Sequence, residues 1–252
     1  YDLIVIHCEL FPFIPYFIEN ILIIKKYIYD FDDAVYLRYE NKGKITDLLF
    51  KNKFKNIIKK ASLVHAGSSF LLEYAKKFNS KSFLLPTSVD SNRYIKYKTK
   101  EKLLFTIGWV GSPSSEKYLN LLIEPFDRLA KEIDFKLIII GANRKPNFLK
   151  CDSQLIQWSY ENEINAINSF DVGIMPLKES DWEKGKCAFK LIQCMSCEVP
   201  VIGTPIGFNN ILITENVDGF FAKNNQDWYE KIMYLYKNKH KREQMGKNAR
   251  EK

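Results

Sequence analysis

The sequence has 252 residues, a net charge of +8 and a pI near 9.0. Its 46% hydrophobic and 14% aromatic residues are enough for packed cores, which excludes a disordered chain, and the length allows one large or two small domains. The positive charge favours an anionic ligand, a nucleic acid or an anionic membrane surface. Because no RNA-reading aromatic motif is present, we do not expect a nucleic-acid partner.

Cysteine usage and hydropathy indicate the compartment. The five cysteines show no disulfide framework, which predicts a reducing, cytoplasmic environment. Cys194 and Cys197 form a single CxxC pair inside a predicted helix, and we interpret them as packed thiols instead of a zinc or redox motif. The apolar stretch 11–29 is interrupted by Pro12, Pro15 and Glu19 and does not predict a membrane span. Since the chain starts without Met inside a strand pattern, we expect a fragment of a longer protein.

The N-terminal part alternates short apolar strands with helices, and this alternation predicts a parallel, doubly wound sheet. The predicted strands are 1–8, 26–31, 63–66 and 82–85, and the predicted helices are 15–25, 51–61 and 70–78, the last with Ser68 or Ser69 as its N-cap. Residues 91–102 are polar and charged without an apolar period, which is typical of a linker. We therefore predict two α/β domains, residues 1–98 and 99–252, with the first one incomplete.

The same pattern restarts in the C-terminal part. A strand ending in a Gly-rich turn is followed by a helix with Ser114 or Ser115 as its N-cap. Further strands, FKLIIIGAN and LIQWSY, and a helix at 161–168 lead to the stretch 171–207, which has the pattern strand, polar loop, helix, strand. The segment 209–214, the DGFF turn and helices up to the end complete the sequence.

The helix CAFKLIQCM within 171–207 is predicted to be amphipathic. At 100° per residue, Lys186, Lys190 and Gln193 share one narrow stripe. The opposite, apolar side would pack on a sheet; it comprises Ala188, Leu191, Ile192 and Met195. Two lysines near a helix N-terminus add to a positive macrodipole, so a bound anion would stabilise this end. The alternative is a solvated helix with ordinary surface lysines.

The turn IGWVGSPSSEK is a second candidate for anion binding. Gly108 and Gly111 would let a ligand approach the backbone, and Ser112, Ser114 and Ser115 would offer hydroxyls beside a helix N-terminus. Neither the P-loop spacing nor GxGxxG is present, so a tight strand-to-helix turn is the alternative. Because both candidate loops follow strands of one predicted sheet, we expect them to share its carboxyl edge.

Polar side chains also end the first two strands. Asp30, Asp32 and Asp33 could hold Mg²⁺ or Mn²⁺, hydrogen-bond sugar or acceptor hydroxyls, or take a proton as a general base; capping of the next helix is the alternative. His7 and Glu9 end the first strand and could contact an acceptor; a hydrogen-bonded residue at the sheet edge is the alternative for His7.

The motifs GWVGSPSSEKYLNLLI, GIMPL…GKCAFKLIQCMSCEVPVIGTPIG and YDFDDAVY, in two tandem doubly wound halves, resemble the retaining glycosyltransferases of family 4 with the GT-B fold. The resemblance covers nearly the whole chain. It implies a nucleotide-sugar donor bound by the second half, an acceptor bound mainly by the first, and a cleft between them. No cofactor and no metal are implied.

The family's motif residues map onto this sequence with departures. The Glu-x7-Glu motif falls on Gly185 and Gln193, of which the resemblance places Gln193 on the donor ribose. Trp109 takes the place of a phosphate-binding Arg, and Lys117 matches a phosphate-binding Lys. Lys186 and Lys190 would then supply the missing charge, and Asp32 takes the place of a His near the donor sugar.

Taken with these patterns, the resemblance implies a metal-independent hexosyltransferase. It would transfer a sugar from a nucleotide diphosphate sugar to an acceptor hydroxyl with retention, in cell-surface polysaccharide synthesis. The acceptor would be a glycan or a lipid-linked glycan, with peripheral contact to an anionic membrane. A nucleotide-sugar epimerase, an inactive donor-binding module and a basic nucleic-acid binder are the alternatives.

Overall fold

The structure is a computed structural model that describes residues 2–40, 43–97, 103–146 and 151–252. The chain divides into two compact units. The N-terminal unit comprises Tyr1–Thr87 and Glu179–Cys187, and the C-terminal unit comprises Ser88–Lys178 and Ala188–Lys252. Within the described ranges, no helix combines the length and the hydropathy needed to cross a membrane.

The N-terminal unit contains a parallel sheet of four strands in the order β1-β2-β3-β4. The strands are β1 (Ile4–His7), β2 (Tyr27–Phe31), β3 (Leu63–Ala66) and β4 (Ser82–Leu84). The α-helices are α1 (Tyr16–Leu22), α2 (Lys44–Phe50), α3 (Lys53–Lys60), α4 (Ser69–Lys76) and α7 (Asp181–Lys184), with a 3-10 helix at Val35–Arg38. The four predicted strands are confirmed, and Ser68 is the N-cap of α4 because its Oγ accepts from Leu71 N. The sequence missed α2 and predicted a loop where α7 forms.

The C-terminal unit contains a parallel sheet of six strands in the order β10-β9-β8-β5-β6-β7. The strands are β5 (Phe105–Val110), β6 (Phe135–Ile140), β7 (Asp152–Ile156), β8 (Val172–Met175), β9 (Val201–Gly203) and β10 (Gly219–Phe221). The α-helices are α5 (Ile123–Leu129), α6 (Tyr160–Asn168), α8 (Phe189–Ser196), α9 (Asn209–Leu212), α10 (Asn225–Lys237) and α11 (Lys239–Glu251), and a 3-10 helix spans Pro113–Leu122. Counted within this unit, the order is the 3-2-1-4-5-6 of a Rossmann fold, which confirms the doubly wound prediction.

Alternation along the C-terminal strands separates two cores, one on each face of the sheet. On one face Ile107, Trp109 and Val172 pack with the 3-10 helix, α5 and α10. On the other face Val110 and Met175 pack with α6 and α8. Burial on both faces is the reason these strands have nearly continuous apolar sequences.

The predicted linker needs a correction at Tyr94. This side chain is only 4% exposed and belongs to the core beneath α6 and α8. Its hydroxyl can be buried there because it has a buried polar partner. Residues 98–102 of the predicted linker lie outside the described residues. The DGFF segment also differs from its prediction, since it forms β10 instead of a turn.

Two paired glycines bring α8 close to the sheet. Gly108 of β5 lies opposite Gly173 of β8 in the strand register. A Cβ atom at Gly108 would lie 2.0 Å from the ring of Phe170, and one at Gly173 would lie 2.6 Å from Cys194 Sγ of α8. The missing side chain of Gly173 therefore lets α8 lie close to β8, and that of Gly108 makes room for Phe170.

We predict that Gly173→Ala destabilises the protein by about 1–3 kcal/mol, because the added methyl group overpacks the contact with α8. Chemical denaturation of both proteins measures this difference. Adding Cys194→Ala, which removes the sulfur atom, should restore part of the loss. An unchanged stability of Gly173→Ala would contradict this account of the packing.

Candidate functional site

The carboxyl end of β5 is shaped by a tryptophan and two glycines. Trp109 is 1% exposed, and its ring fills the space that a Cβ atom at Gly111 would need, at 2.0 Å. Gly141, at the end of β6, has φ +80°, and a Cβ atom there would lie 2.2 Å from the Gly111 carbonyl oxygen. The backbone after β5 is therefore tightly held against the end of β6.

Three serines form the turn that follows Gly111. Ser112 is the N-cap of the 3-10 helix, and a reciprocal capping box joins it to Ser115. The Ser112 N–H donates to Ser115 Oγ at 3.1 Å, and Ser112 Oγ lies 3.0 Å from Ser114 Oγ. The prediction of Ser114 or Ser115 as the N-cap was wrong, because Ser112 is the residue with extended backbone before the helix. Capping leaves the hydroxyls of Ser112 and Ser114 exposed at the strand edge.

Lys190 connects this turn to α8. Its Nζ donates to Ser115 Oγ at 2.8 Å and lies 4.8 Å from the centre of the Trp109 ring. Lys190 lies in the first turn of α8, which follows β8, and β8 is the neighbour of β5. The two loops that the sequence predicted to share one sheet edge therefore meet at the switch point of the strand order, where α/β sheets bind ligands.

The helical stripe that was predicted to include Lys186 does not form. Helix α8 begins only at Phe189, after Ala188 with a left-handed φ of 58°. Lys186 precedes this break and belongs to the N-terminal unit, where its Nζ lies 3.5 Å from Asp33 Oδ1. Burial raises the pKa of Asp33, and the charge of Lys186 opposes that shift.

The end of β1 and the end of β2 bring four polar side chains together in the N-terminal unit. His7 and Asp30 are paired in the strand register, and His7 Nδ1 lies 2.8 Å from Asp30 Oδ2. His7 Nε2 lies 3.6 Å from Asp32 Oδ1 and 3.5 Å from Cys8 Sγ. Burial and then the charge of Asp32 raise the pKa of the Cys8 thiol to about 12. The sequence predicted His7, Asp30 and Asp32 at this edge, but it missed Cys8.

The three aspartates do not form an all-oxygen metal group, since Asp30 contacts His7 and Asp33 contacts Lys186. Among the described residues, one set of His, Cys, Asp or Glu side chains offers ligand atoms within 4.8 Å of one another. This set is His7, Cys8 and Asp32.

Glu9 lies inside the N-terminal unit instead of at the open strand edge. Its side chain is 5% exposed, it accepts from Tyr39 Oη at 2.6 Å, and it pairs with the buried Lys53 at 3.3 Å. Lys53 also pairs with the fully buried Glu19 at 3.0 Å. Glu9 therefore neutralises a buried cation, which the sequence did not reveal because Lys53 is 44 positions away.

Comparison with known proteins adds a family. The family model "Glycosyl transferases group 1" matches residues 90–252, which include the serine turn, Lys190 and all six strands of the C-terminal sheet. The chain belongs to the group 1 glycosyltransferases. Searching the curated proteins gives no match.

Solved glycosyltransferase structures share the fold. HepE of Anabaena, in complex with UDP and glucose, has a TM-score of 0.72 at 14% identity over 93% of this chain and 68% of its own. TarM of S. aureus, solved with UDP and a glycan, has a TM-score of 0.67 at 18% identity over 90% of this chain and 47% of its own. Sucrose-phosphate synthase of Thermosynechococcus elongatus has a TM-score of 0.71 at 13% identity over 100% of this chain and 68% of its own. These likenesses confirm the GT-B type of α/β fold.

In this glycosyltransferase, Gln193 lies in a buried polar network and not on an exposed stripe. Gln193 is 2% exposed, and its Nε2 donates to Tyr94 Oη and to Glu163 Oε1, both at 2.8 Å. Tyr94 in turn donates to Glu163 Oε2 at 2.5 Å, and burial, followed by this hydrogen bond, raises the pKa of Tyr94 to about 12. The amide therefore satisfies a buried carboxylate, and its predicted contact with a donor ribose stays a prediction.

Two other motif positions also have local explanations. A Cβ atom at Gly185 would lie 2.7 Å from the Ala34 Cβ atom, so the N-terminal unit has no room for the glutamate of the motif. Lys117 is exposed on the 3-10 helix, with its Nζ 5.3 Å from the centre of the Tyr118 ring. Its predicted contact with a phosphate stays a prediction.

We predict that Gln193→Glu, which restores the glutamate of the motif, destabilises the protein on the order of 2–4 kcal/mol at pH 8. The new carboxylate would face Glu163 without an intervening donor. The loss of stability should be smaller at pH 5, because a proton shared by two carboxyl groups removes their repulsion.

Guanidinium denaturation at both pH values measures the effect. Gln193→Met is the control, because it removes the amide without adding a charge, and its loss should be nearly independent of pH. If Gln193→Glu were as stable as the wild type at pH 8, the side chains of Gln193, Tyr94 and Glu163 would have another arrangement.

Proposed function

We propose that this protein is a retaining, metal-independent hexosyltransferase of family 4. It transfers a hexose from a nucleotide diphosphate sugar to a hydroxyl of a glycan or a lipid-linked acceptor. UDP-hexoses are the first donors to test, because the HepE and TarM structures contain UDP. Five free cysteines and a net charge of +8 support a cytoplasmic location beside an anionic membrane and a role in cell-surface polysaccharide synthesis.

One observation carries the proposal. Lys190 Nζ lies 2.8 Å from Ser115 Oγ at the switch point between β5 and β8. A cation, a hydroxyl-rich turn and the start of a helix thus meet at one sheet edge. Phosphate groups are bound by this combination of charge, dipole and hydrogen-bond donors.

The proposed chemistry depends on the charge of the leaving group. As the bond between the anomeric carbon and the diphosphate oxygen breaks, the diphosphate gains negative charge. This charge would be stabilised by Lys190 and by the hydroxyls of Ser112 and Ser114. Lys117 would add to the positive potential. Gly111 would let the phosphate approach the backbone, because it has no side chain. The acceptor oxygen forms its bond to the anomeric carbon on the face that the diphosphate leaves, which retains the configuration, and the hydroxyl proton passes to the departing diphosphate.

We assign the acceptor to polar side chains at the strand ends of the N-terminal unit. His7 and Asp32 have side chains that are 59% and 39% exposed, so both are available for hydrogen bonds to hydroxyl groups. Asp30 is hydrogen-bonded to His7, and Asp33 forms an ion pair with Lys186. We keep Lys186 and Asp32 as proposed catalytic residues, Lys186 as a second cation for the departing diphosphate. Glu9 is left out of the acceptor contacts because it is buried with Lys53.

We predict that Lys190→Met lowers UDP affinity about 10- to 100-fold, since a hydrogen bond from a charged group contributes about 1.5–3 kcal/mol. Titration calorimetry of the full-length protein with UDP, GDP and ADP measures this, and it also identifies the base. Lys237→Met, an exposed lysine in the last turn of α10, is the control and should bind like the wild type. Equal UDP affinities of the two variants would show that Lys190 does not contribute to UDP binding.

We predict that Lys186→Ala lowers turnover by about two orders of magnitude without unfolding the protein, as removal of one donor to a developing charge does. Transfer of radiolabelled sugar from the donor measures turnover. Lys184→Ala, in an exposed pair with Asp181, is the matched control. Near-normal turnover of a soluble Lys186→Ala protein excludes the role.

The same assays separate the alternatives. An epimerized donor formed without an acceptor would identify an epimerase, and UDP binding without any transfer would identify a donor-binding module.

A further inference from the structure

His7, Cys8 and Asp32 differ chemically from the phosphate site. Their donor atoms are an imidazole nitrogen, a sulfur and a carboxylate oxygen, and all three face one another at the carboxyl ends of β1 and β2. Nitrogen, sulfur and oxygen together are a ligand set for borderline-soft metals such as zinc, whereas Mg²⁺ prefers oxygen alone.

The separations of these atoms match a tetrahedral site. With the usual zinc–ligand bond lengths, the edges between an N, an S and an O ligand are about 3.3–3.6 Å. In the structure Cys8 Sγ lies 3.5 Å from His7 Nε2 and 3.5 Å from Asp32 Oδ1, and His7 Nε2 lies 3.6 Å from Asp32 Oδ1. A metal ion just off the plane of this triangle would reach all three atoms with little movement, and a fourth ligand would complete the tetrahedron.

Asp30 provides the outer shell that such a site requires. Its Oδ2 lies 2.8 Å from His7 Nδ1, so the carboxylate holds the proton of the imidazole on Nδ1. The lone pair of Nε2 then faces Cys8 and Asp32. Metal-binding histidines are oriented by a carboxylate in this way.

Strand pairing fixes the three ligands. His7 is paired with Asp30, and the Cys8 N–H donates to the Asp30 carbonyl at 2.7 Å. Cys8 has φ 57°, which is rare for a residue with a side chain. Asp32 is confined by Gly67, where a Cβ atom would lie 3.0 Å from the Asp32 Cα atom.

From this geometry we infer that the N-terminal unit binds one zinc ion through His7 Nε2, Cys8 Sγ and an Asp32 carboxylate oxygen. The thiol proton leaves to solvent as the sulfur electron pair binds the metal. With His7 59% and Asp32 39% exposed, the fourth position is open to water or to a hydroxyl ligand. This site goes beyond the proposed transfer reaction, for which no metal is proposed, and it shares His7 and Asp32 with the proposed acceptor contacts.

Metal titration of the full-length protein tests the inference without any sugar donor. We expect one equivalent of Zn²⁺ per chain by calorimetry. Co²⁺ in the same site should give the visible bands of tetrahedral cobalt and a thiolate charge-transfer band. Cys8→Ser and His7→Ala should each weaken Zn²⁺ binding at least 100-fold. Asp30→Asn should weaken it about 10- to 100-fold, as loss of an outer-shell partner does.

Cys151→Ser is the matched control, because Cys151 is also half-buried but lies in the C-terminal unit. It should keep the affinity and the charge-transfer band of the wild type. Zn²⁺ affinity that is equal in Cys8→Ser and Cys151→Ser, or a cobalt spectrum without a thiolate band, would overturn the inference. Because UDP binding is measured separately, failure of the metal site leaves the proposed transfer reaction untouched.

Discussion

The close contact of α8 with the centre of the C-terminal sheet is the constraint on which the proposed donor site depends. Gly108 and Gly173 are paired on neighbouring strands, and neither position has room for a Cβ atom beside Phe170 and Cys194. Because the helix lies this close, its first turn comes to the carboxyl edge of β5, and Lys190 reaches Ser115. Dense packing transmits small changes in side-chain volume, so core residues far from any ligand set the position of this cation.

Charge is distributed differently in the two units. In the C-terminal unit, Lys190 lies beside serine hydroxyls at the strand edge. In the N-terminal unit, Lys186 faces Asp33, and Lys53 is neutralised inside by Glu9 and Glu19. The chain has an excess of lysine, yet these three lysines have different roles because burial and partners differ at each position.

The sequence predicted the fold well because parallel strands that are buried on both faces have a distinctive apolar pattern. All four N-terminal strands and the strand–helix alternation of the C-terminal unit follow from that pattern. The pattern was less informative where single residues break an element. Helix α8 starts at Phe189 instead of Cys187 because Ala188 adopts a left-handed conformation, and this break separated Lys186 from the helix. An alanine gives no local signal of such a break.

The two parallel sheets and the convergence of the serine turn with Lys190 follow from the sequence, since loops that follow parallel strands share one edge whatever their separation along the chain. The tertiary structure alone decided which polar groups are buried together. Gln193 meets Glu163 and Tyr94, Glu9 meets Lys53, and Cys8 meets Asp32. These contacts join residues 24 to 99 positions apart. The periodicity of one helix or strand shows which face is apolar, but the partner of a buried polar group depends on a second element packed against it.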